Sequence, residues 1–119
     1  MTAVYNESDL AEHVLRAMAV IDATESPDDV DEAYVIQVYD QKYAELQAPG
    51  LELVYWPQAS IPSAIFLTIR DLVINECSGA FGQPTPPETK DARETIILKR
   101  LRRHVSRPAT GVPNRAQYF

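Results

Sequence analysis

Cysteine and histidine are scarce in this chain: Cys77 is the sole cysteine, and His13 and His104 are the only histidines among 119 residues. A single cysteine cannot close an internal disulfide, which predicts folding in a reducing, intracellular setting. One thiol and two imidazoles also fall short of a structural zinc set. No run approaches the roughly 18 apolar residues of a membrane span, so no membrane partner is expected. Met1 to Asp9 shows no positive patch followed by an apolar stretch, so no secretory leader is predicted. A phosphate-cradling Gly-rich loop, His-Glu-x-x-His and Gly-x-Ser-x-Gly are all missing. The expectation is a binding protein without a cofactor and without catalytic residues.

Acidic residues vanish from Ile97 onward, where Lys99, Arg100, Arg102, Arg103, Arg107 and Arg115 stand without a single Asp or Glu. The imbalance extends over the whole chain. Residues 1–60 hold twelve acidic and two basic side chains, and residues 61–119 hold five acidic and nine basic, so net charges of -10 and +4 make up the overall -6. Such polarity suits a protein that meets two different surfaces. Part of the basic excess also complements the negative end of a helix dipole.

What remains reads as helices. A chain of this size buries about two thirds of its unfolded surface, enough for one modest core. Ser8 is a good N-cap for a first helix running to about Ile21, with Leu10, Val14, Ala17, Met18 and Ile21 on one face. Ser26 as N-cap, Pro27 in the first turn and Asp28 and Asp29 beside the dipole open a second helix that ends near Gln47, before Pro49 and Gly50. Leu51 to Trp56 is read as an extended, packed connector, since no second strand-like run exists to pair with it. Pro62 starts a third, most apolar helix with Ile65, Ile69, Leu72, Val73, Glu76 and Ala80 at helical spacing, ending at Gly82. Thr85 and Glu88 read as a capping box for a fourth helix carrying Ala92, Ile96, Ile97 and Leu101 to about Val105. The fold class is therefore all-α: a three- to four-helix bundle over residues 1–105, followed by an extended C-terminal arm over 106–119.

The arm combines two prolines and a glycine with Val112, Tyr118 and Phe119, a composition unlike a fully solvated tail and suited to ordering on a partner. Its candidate binding residues are Arg107, Pro108, Val112, Pro113, Asn114, Arg115, Gln117, Tyr118 and Phe119. The other constellations have plainer readings. Asp28, Asp29, Asp31 and Glu32 lack the ordered spacing and glycine of a calcium loop, and are expected to be solvated carboxylates at a helix start. Tyr34, Tyr39 and Tyr43 could stack bases, but their helical spacing favours packing with wet hydroxyl tips. Cys77 reads as a small core residue, and His13 and His104 as surface or helix-end residues. Glu76 is the one candidate general acid, should it lie in a cleft.

Taken in order, the punctuation resembles that of a known family. Ser8, Asp9 and Leu10 open a short helix ending in Ala19, Val20 and Ile21; a second helix leads into Pro49, Gly50, Leu51, Glu52 and Leu53. Ile61 and Pro62 open a helix closing in Ala80, Phe81 and Gly82, a Pro-rich stretch from Gln83 to Pro87 follows, and the Ala92 helix ends in Arg100 to Arg103 before a Pro/Gly tail. Over about residues 8–113 this arrangement is similar to the head-completion, or portal-adaptor, proteins of tailed phages, also described as packaged-DNA stabilisation proteins and tail accessory factors. The resemblance implies a virion structural protein of the neck, assembled in the host cytoplasm. It would be bound as a ring of copies, usually a dodecamer, to the portal protein, with the C-terminal segment along or between portal subunits. It would close the filled head and present a platform to the next tail component, while DNA passes through without specific binding. Two other classes stay open on the residues themselves: a small nucleic-acid-binding protein using Lys99 to Arg107 against phosphate, and a tail-associated cell-wall hydrolase using Glu76.

Overall fold

A computed structural model describes residues 4–51 and 53–105, in which four α-helices and one pair of two-residue strands form an all-α bundle. In chain order these are β1 (Val4–Tyr5), α1 (Glu7–Ala17), α2 (Asp29–Leu46), β2 (Ile61–Pro62), α3 (Ser63–Cys77), continued by a 3₁₀ turn over Ser78–Phe81, and α4 (Pro87–Val105). The predicted arm over 106–119 lies outside the described residues.

The caps of the first two helices differ from the sequence expectation by two residues and that of the fourth by one, for local reasons. Asn6, not Ser8, caps α1: its side chain accepts from Asp9 N–H at 2.7 Å, while the Asp9 carboxylate accepts from Asn6 N–H at 3.1 Å. This reciprocal box satisfies two backbone donors at once, which a Ser8 cap two residues later could not match. Asp28, not Ser26, caps α2 through its carboxylate and Val30 N–H at 3.2 Å, so Pro27 precedes the helix. In α4 the first helical bond runs from Lys90 N–H to the Pro86 carbonyl at 2.9 Å, which places Pro87 rather than Pro86 in the first helical position and leaves Thr85 outside.

Helix α1 stops at Ala17, short of the expected Ile21. Ala19 N–H donates to Arg16 O at 3.0 Å and Val20 N–H to Leu15 O at 2.9 Å, with Ala19 at φ 60°. That is the hydrogen-bond pattern of a Schellman stop with alanine in the left-handed position usually held by glycine. The end of the third helical segment has the same pattern with the usual residue. Gln83 N–H reaches Ser78 O at 2.9 Å and Gly82 sits at φ 81°, where the missing Cβ removes the strain. The Gln83 side chain then donates to Met18 O at 2.6 Å, tying the two helix ends together.

Helix α3 is the centre of the core, as its composition predicts, because Ile65, Phe66, Ile69, Leu72, Val73 and Cys77 are all buried. It packs on α1, α2 and α4. Leu10, Ala11, Val14 and Leu15 come from α1 and Met18 from its C-cap, Val35, Val38, Tyr39 and Leu46 from α2, and Ile97 and Leu101 from α4. The connector expected over Leu51 to Trp56 is packed, with Leu53 and Trp56 buried, and a turn closed by Ser60 N–H on Pro57 O at 3.0 Å follows it. Two tyrosines of α2 pin it. Tyr39 donates to Gln58 O at 2.7 Å and accepts from Trp56 Nε1 at 3.1 Å, and Tyr43 donates to Trp56 O at 2.7 Å. The hydroxyl of Tyr39 is thus part of the interior rather than a wet tip. A strand partner does exist, outside that connector: Val4 and Tyr5 pair antiparallel with Pro62 and Ile61. Two residues a side carry too little pattern to read, and Ile61 at the junction is fully buried.

Candidate functional site

All nine predicted portal-binding residues, Arg107 to Phe119, lie outside the described residues. The described part of the chain supplies their root, the last turn of α4, and the surfaces around it. Lys99, Arg102 and Arg103 are exposed on α4, whereas Arg100 reaches across to Asp71 of α3 at 2.9 Å and helps to hold the two helices together. The basic run is therefore divided between packing and surface.

The opposite charge gathers at the start of α2. Asp28 and Asp29 are exposed there, Asp31 and Glu32 half-buried, and Val30 in their midst is 74% exposed. Among the described residues no group of three or more His, Cys, Asp or Glu side chains could hold a metal ion. The Asp28 carboxylate is instead used by the helix cap.

Between α3 and α4 runs a groove of about 310 Å³, walled by Ile74, Ile96 and Ile97 and edged by Asp71, Arg93 and Arg100, with Asn75 in its lining. Ile96, one of the apolar residues read along the fourth helix, is 60% exposed here. Its neighbour Ile97 is buried, since adjacent residues on a helix diverge by about 100° and α4 turns Ile97 toward the core and Ile96 away from it. Asn75 is 6% exposed; its Nδ2 donates to Lys90 O at 3.0 Å, while its Oδ1 has no partner among the described residues. Arg100 Nε is likewise buried and without a partner among them. Apolar walls with charged side chains at the rim suit a partner that brings a hydrocarbon side chain and charged groups. Sequence reasoning missed this groove. The only available signal was the adjacent pair Ile96 and Ile97.

On the side facing α2, Lys42 is 8% exposed and its ammonium lies 2.7 Å from Glu45, 2.9 Å from Glu94 and 3.4 Å from Glu76. Burial acts to lower the lysine pKa, but the hydrogen bonds to Glu45 and Glu94 and the charge of Glu76 outweigh it and raise it. Glu76 also faces the Lys90 ammonium at 3.6 Å. The candidate general acid thus sits between two cations.

A second charged contact joins α1 to α2. The Glu7 carboxyl is pushed up to about 7 by desolvation and by the hydrogen bond and charge of Asp40, against a hydrogen bond from Gln58 that lowers it. Gln58 Nε2 donates to Asp40 Oδ1 at 2.6 Å and bridges this pair to the connector. Burial pushes the Cys77 thiol up to about 11, so it remains an inert, fully buried core group. His13 is exposed and meets Phe66 edge-on with ring centroids 5.0 Å apart; His104 is half-buried in the last turn of α4.

Comparison with protein-family models, with curated proteins and with solved structures found no match.

Proposed function

We propose that this chain is a phage head-to-tail connector subunit that binds the portal as a ring, closes the filled head and offers a platform to the next tail component. One observation supports it above the others: the bundle presents an acidic, valine-tipped turn at the start of α2 and an exposed basic surface on α4, the helix that leads directly into the arm over 106–119. A subunit placed between two unlike surfaces, with copies of itself on either side, needs such a division of charge. The order of helices and breaks that resembles the portal-adaptor family supplies the rest of the reading. In this scheme Arg107 and Arg115 steer the arm to the portal and Tyr118 and Phe119 anchor it. The partners are the portal, neighbouring copies and the next neck component. The site of action is the virion neck.

Co-purification of the full chain with portal rings tests this reading directly, and imaging of the particle neck locates it. Absence of the chain from purified particles would contradict it. The exposed Lys99, Arg102 and Arg103 favour one second reading, a nucleic-acid-binding surface. It predicts duplex binding whose affinity falls steeply with salt, whereas the connector reading predicts no sub-micromolar complex at physiological salt.

A further inference from the structure

We propose that the groove between α3 and α4 receives the acidic first turn of α2 from a second copy of this chain, with Val30 as the inserted side chain. The inference rests on the connector reading, because it names the contact between neighbouring copies. The two surfaces match in their apolar groups and in most of their charged groups. The groove has apolar walls, Ile74, Ile96 and Ile97, and Ile96 is exposed; the turn offers Val30, 74% exposed although it is aliphatic. At the groove edge stand Arg93, exposed, and Arg100, half-buried and paired with Asp71 at 2.9 Å. Flanking Val30 are the carboxylates of Asp29 and Asp31. Asp71 adds a carboxylate acceptor to the same edge. The first backbone N–H groups of a helix have no partner within it, and the first helical bond of α2 is that from Glu32 N–H to Asp28 O at 2.9 Å. The turn therefore supplies donors as well as acceptors.

The occupant must come from another copy. Within one copy the first turns of α2 lie against the end of the 3₁₀ turn, where the Tyr34 and Phe81 rings meet at 5.8 Å. The groove lies farther back along α3, at Asp71 to Asn75. Two different patches meeting in this way form a heterologous contact, which propagates from copy to copy and closes into a ring when the rotation allows. A small contact built on a few charges is weak in dilute solution and strengthens when the portal raises the local concentration.

Full-length Val30→Cys protein is mixed with full-length Ile96→Cys protein under mild oxidation; the buried Cys77 is left in place, and wild-type protein is the control. The expected product is a Val30–Ile96 heterodimer formed about tenfold faster than either homodimer, as charge-steered encounters allow. The doubly substituted chain is expected to give a ladder of oligomers rather than stop at a dimer. Asp29→Lys with Asp31→Lys should suppress the heterodimer about tenfold, and Arg93→Glu on the partner should restore part of it, with circular dichroism checking that each variant is folded. Equal rates for heterodimer and homodimers, or crosslinking indifferent to the charge reversal, overturns the proposal. Portal co-sedimentation of the wild-type chain separates the two claims: binding without the crosslink removes only this contact, and the crosslink without binding removes only the connector reading.

Discussion

Replacing Lys42 by methionine keeps most of the hydrocarbon stem in place and removes only the charge, so it isolates the ionic cluster between α2, α3 and α4. Wild-type Lys42 faces Glu94 at 2.9 Å and Glu76 at 3.4 Å, carboxylates whose side chains are 26% and 25% exposed, and Glu45 at 2.7 Å, 56% exposed. Removing one partner of a fully buried pair costs about 3–5 kcal/mol, and of a surface pair about 0–1 kcal/mol. Carboxylates a quarter exposed fall between these limits, and we expect a loss of about 2 kcal/mol at neutral pH. Urea denaturation should show a lower midpoint with an unchanged slope. The folded-state lysine pKa is raised above the ordinary 10.5, so its stabilisation is fully present below that value and is lost as pH climbs through the folded pKa. The gap between wild type and Lys42→Met should accordingly close in strongly alkaline buffer, and Lys42→Arg should retain most of the stability. A variant within about 0.5 kcal/mol of wild type, or a gap that ignores pH, would refute this account of the cluster.

Three further outcomes are expected. The Glu7 carboxyl, raised from 4.5 to about 7 in the folded state, stabilises the fold most below 4.5 and loses that contribution as pH rises through 7. Glu7→Gln should therefore flatten thermal stability between those values, and unchanged pH dependence would contradict it. Ala19→Gly should raise stability by about 0.5–1 kcal/mol in thermal melts, because glycine relieves the left-handed φ of 60° at the α1 stop. Asn6→Ala should lower it by about 1 kcal/mol through loss of the capping box, and Ser8→Ala should leave it nearly unchanged.

The residues that announce the helices are those that obey period and punctuation. Ile65, Ile69, Leu72 and Val73 line up at helical spacing and are buried as read, and Gly82 ends their segment in the left-handed conformation its type suggests. Ala19 performs the same function without the glycine that would advertise it, which is why α1 reads four residues too long. Capping was ambiguous for a related reason. Asn6 and Ser8, like Ser26 and Asp28, are all good N-cap types, and only the backbone geometry decides which oxygen meets which N–H. The buried lysine of α2 was illegible, since its partners Glu76 and Glu94 sit on helices whose relative rotation no spacing rule supplies. The groove was hidden by the same ignorance: Ile96 and Ile97 look alike in sequence, and only the packing of α4 on α3 turns one inward and leaves the other at the surface.

The connector reading stands or falls on whether the arm over 106–119 docks the chain on the portal. The direct measurement is co-sedimentation of portal rings with the full chain and with a chain truncated after Ser106. The account predicts that truncation leaves helical content and stability within about 1 kcal/mol of the full chain, as for a terminus with few contacts in the domain. It also predicts that the truncated chain no longer sediments with the rings, and that replacing Tyr118 and Phe119 by Ala weakens binding by about 2 kcal/mol or more. Undiminished binding by the truncated chain would contradict it and move the docking surface onto the helical bundle.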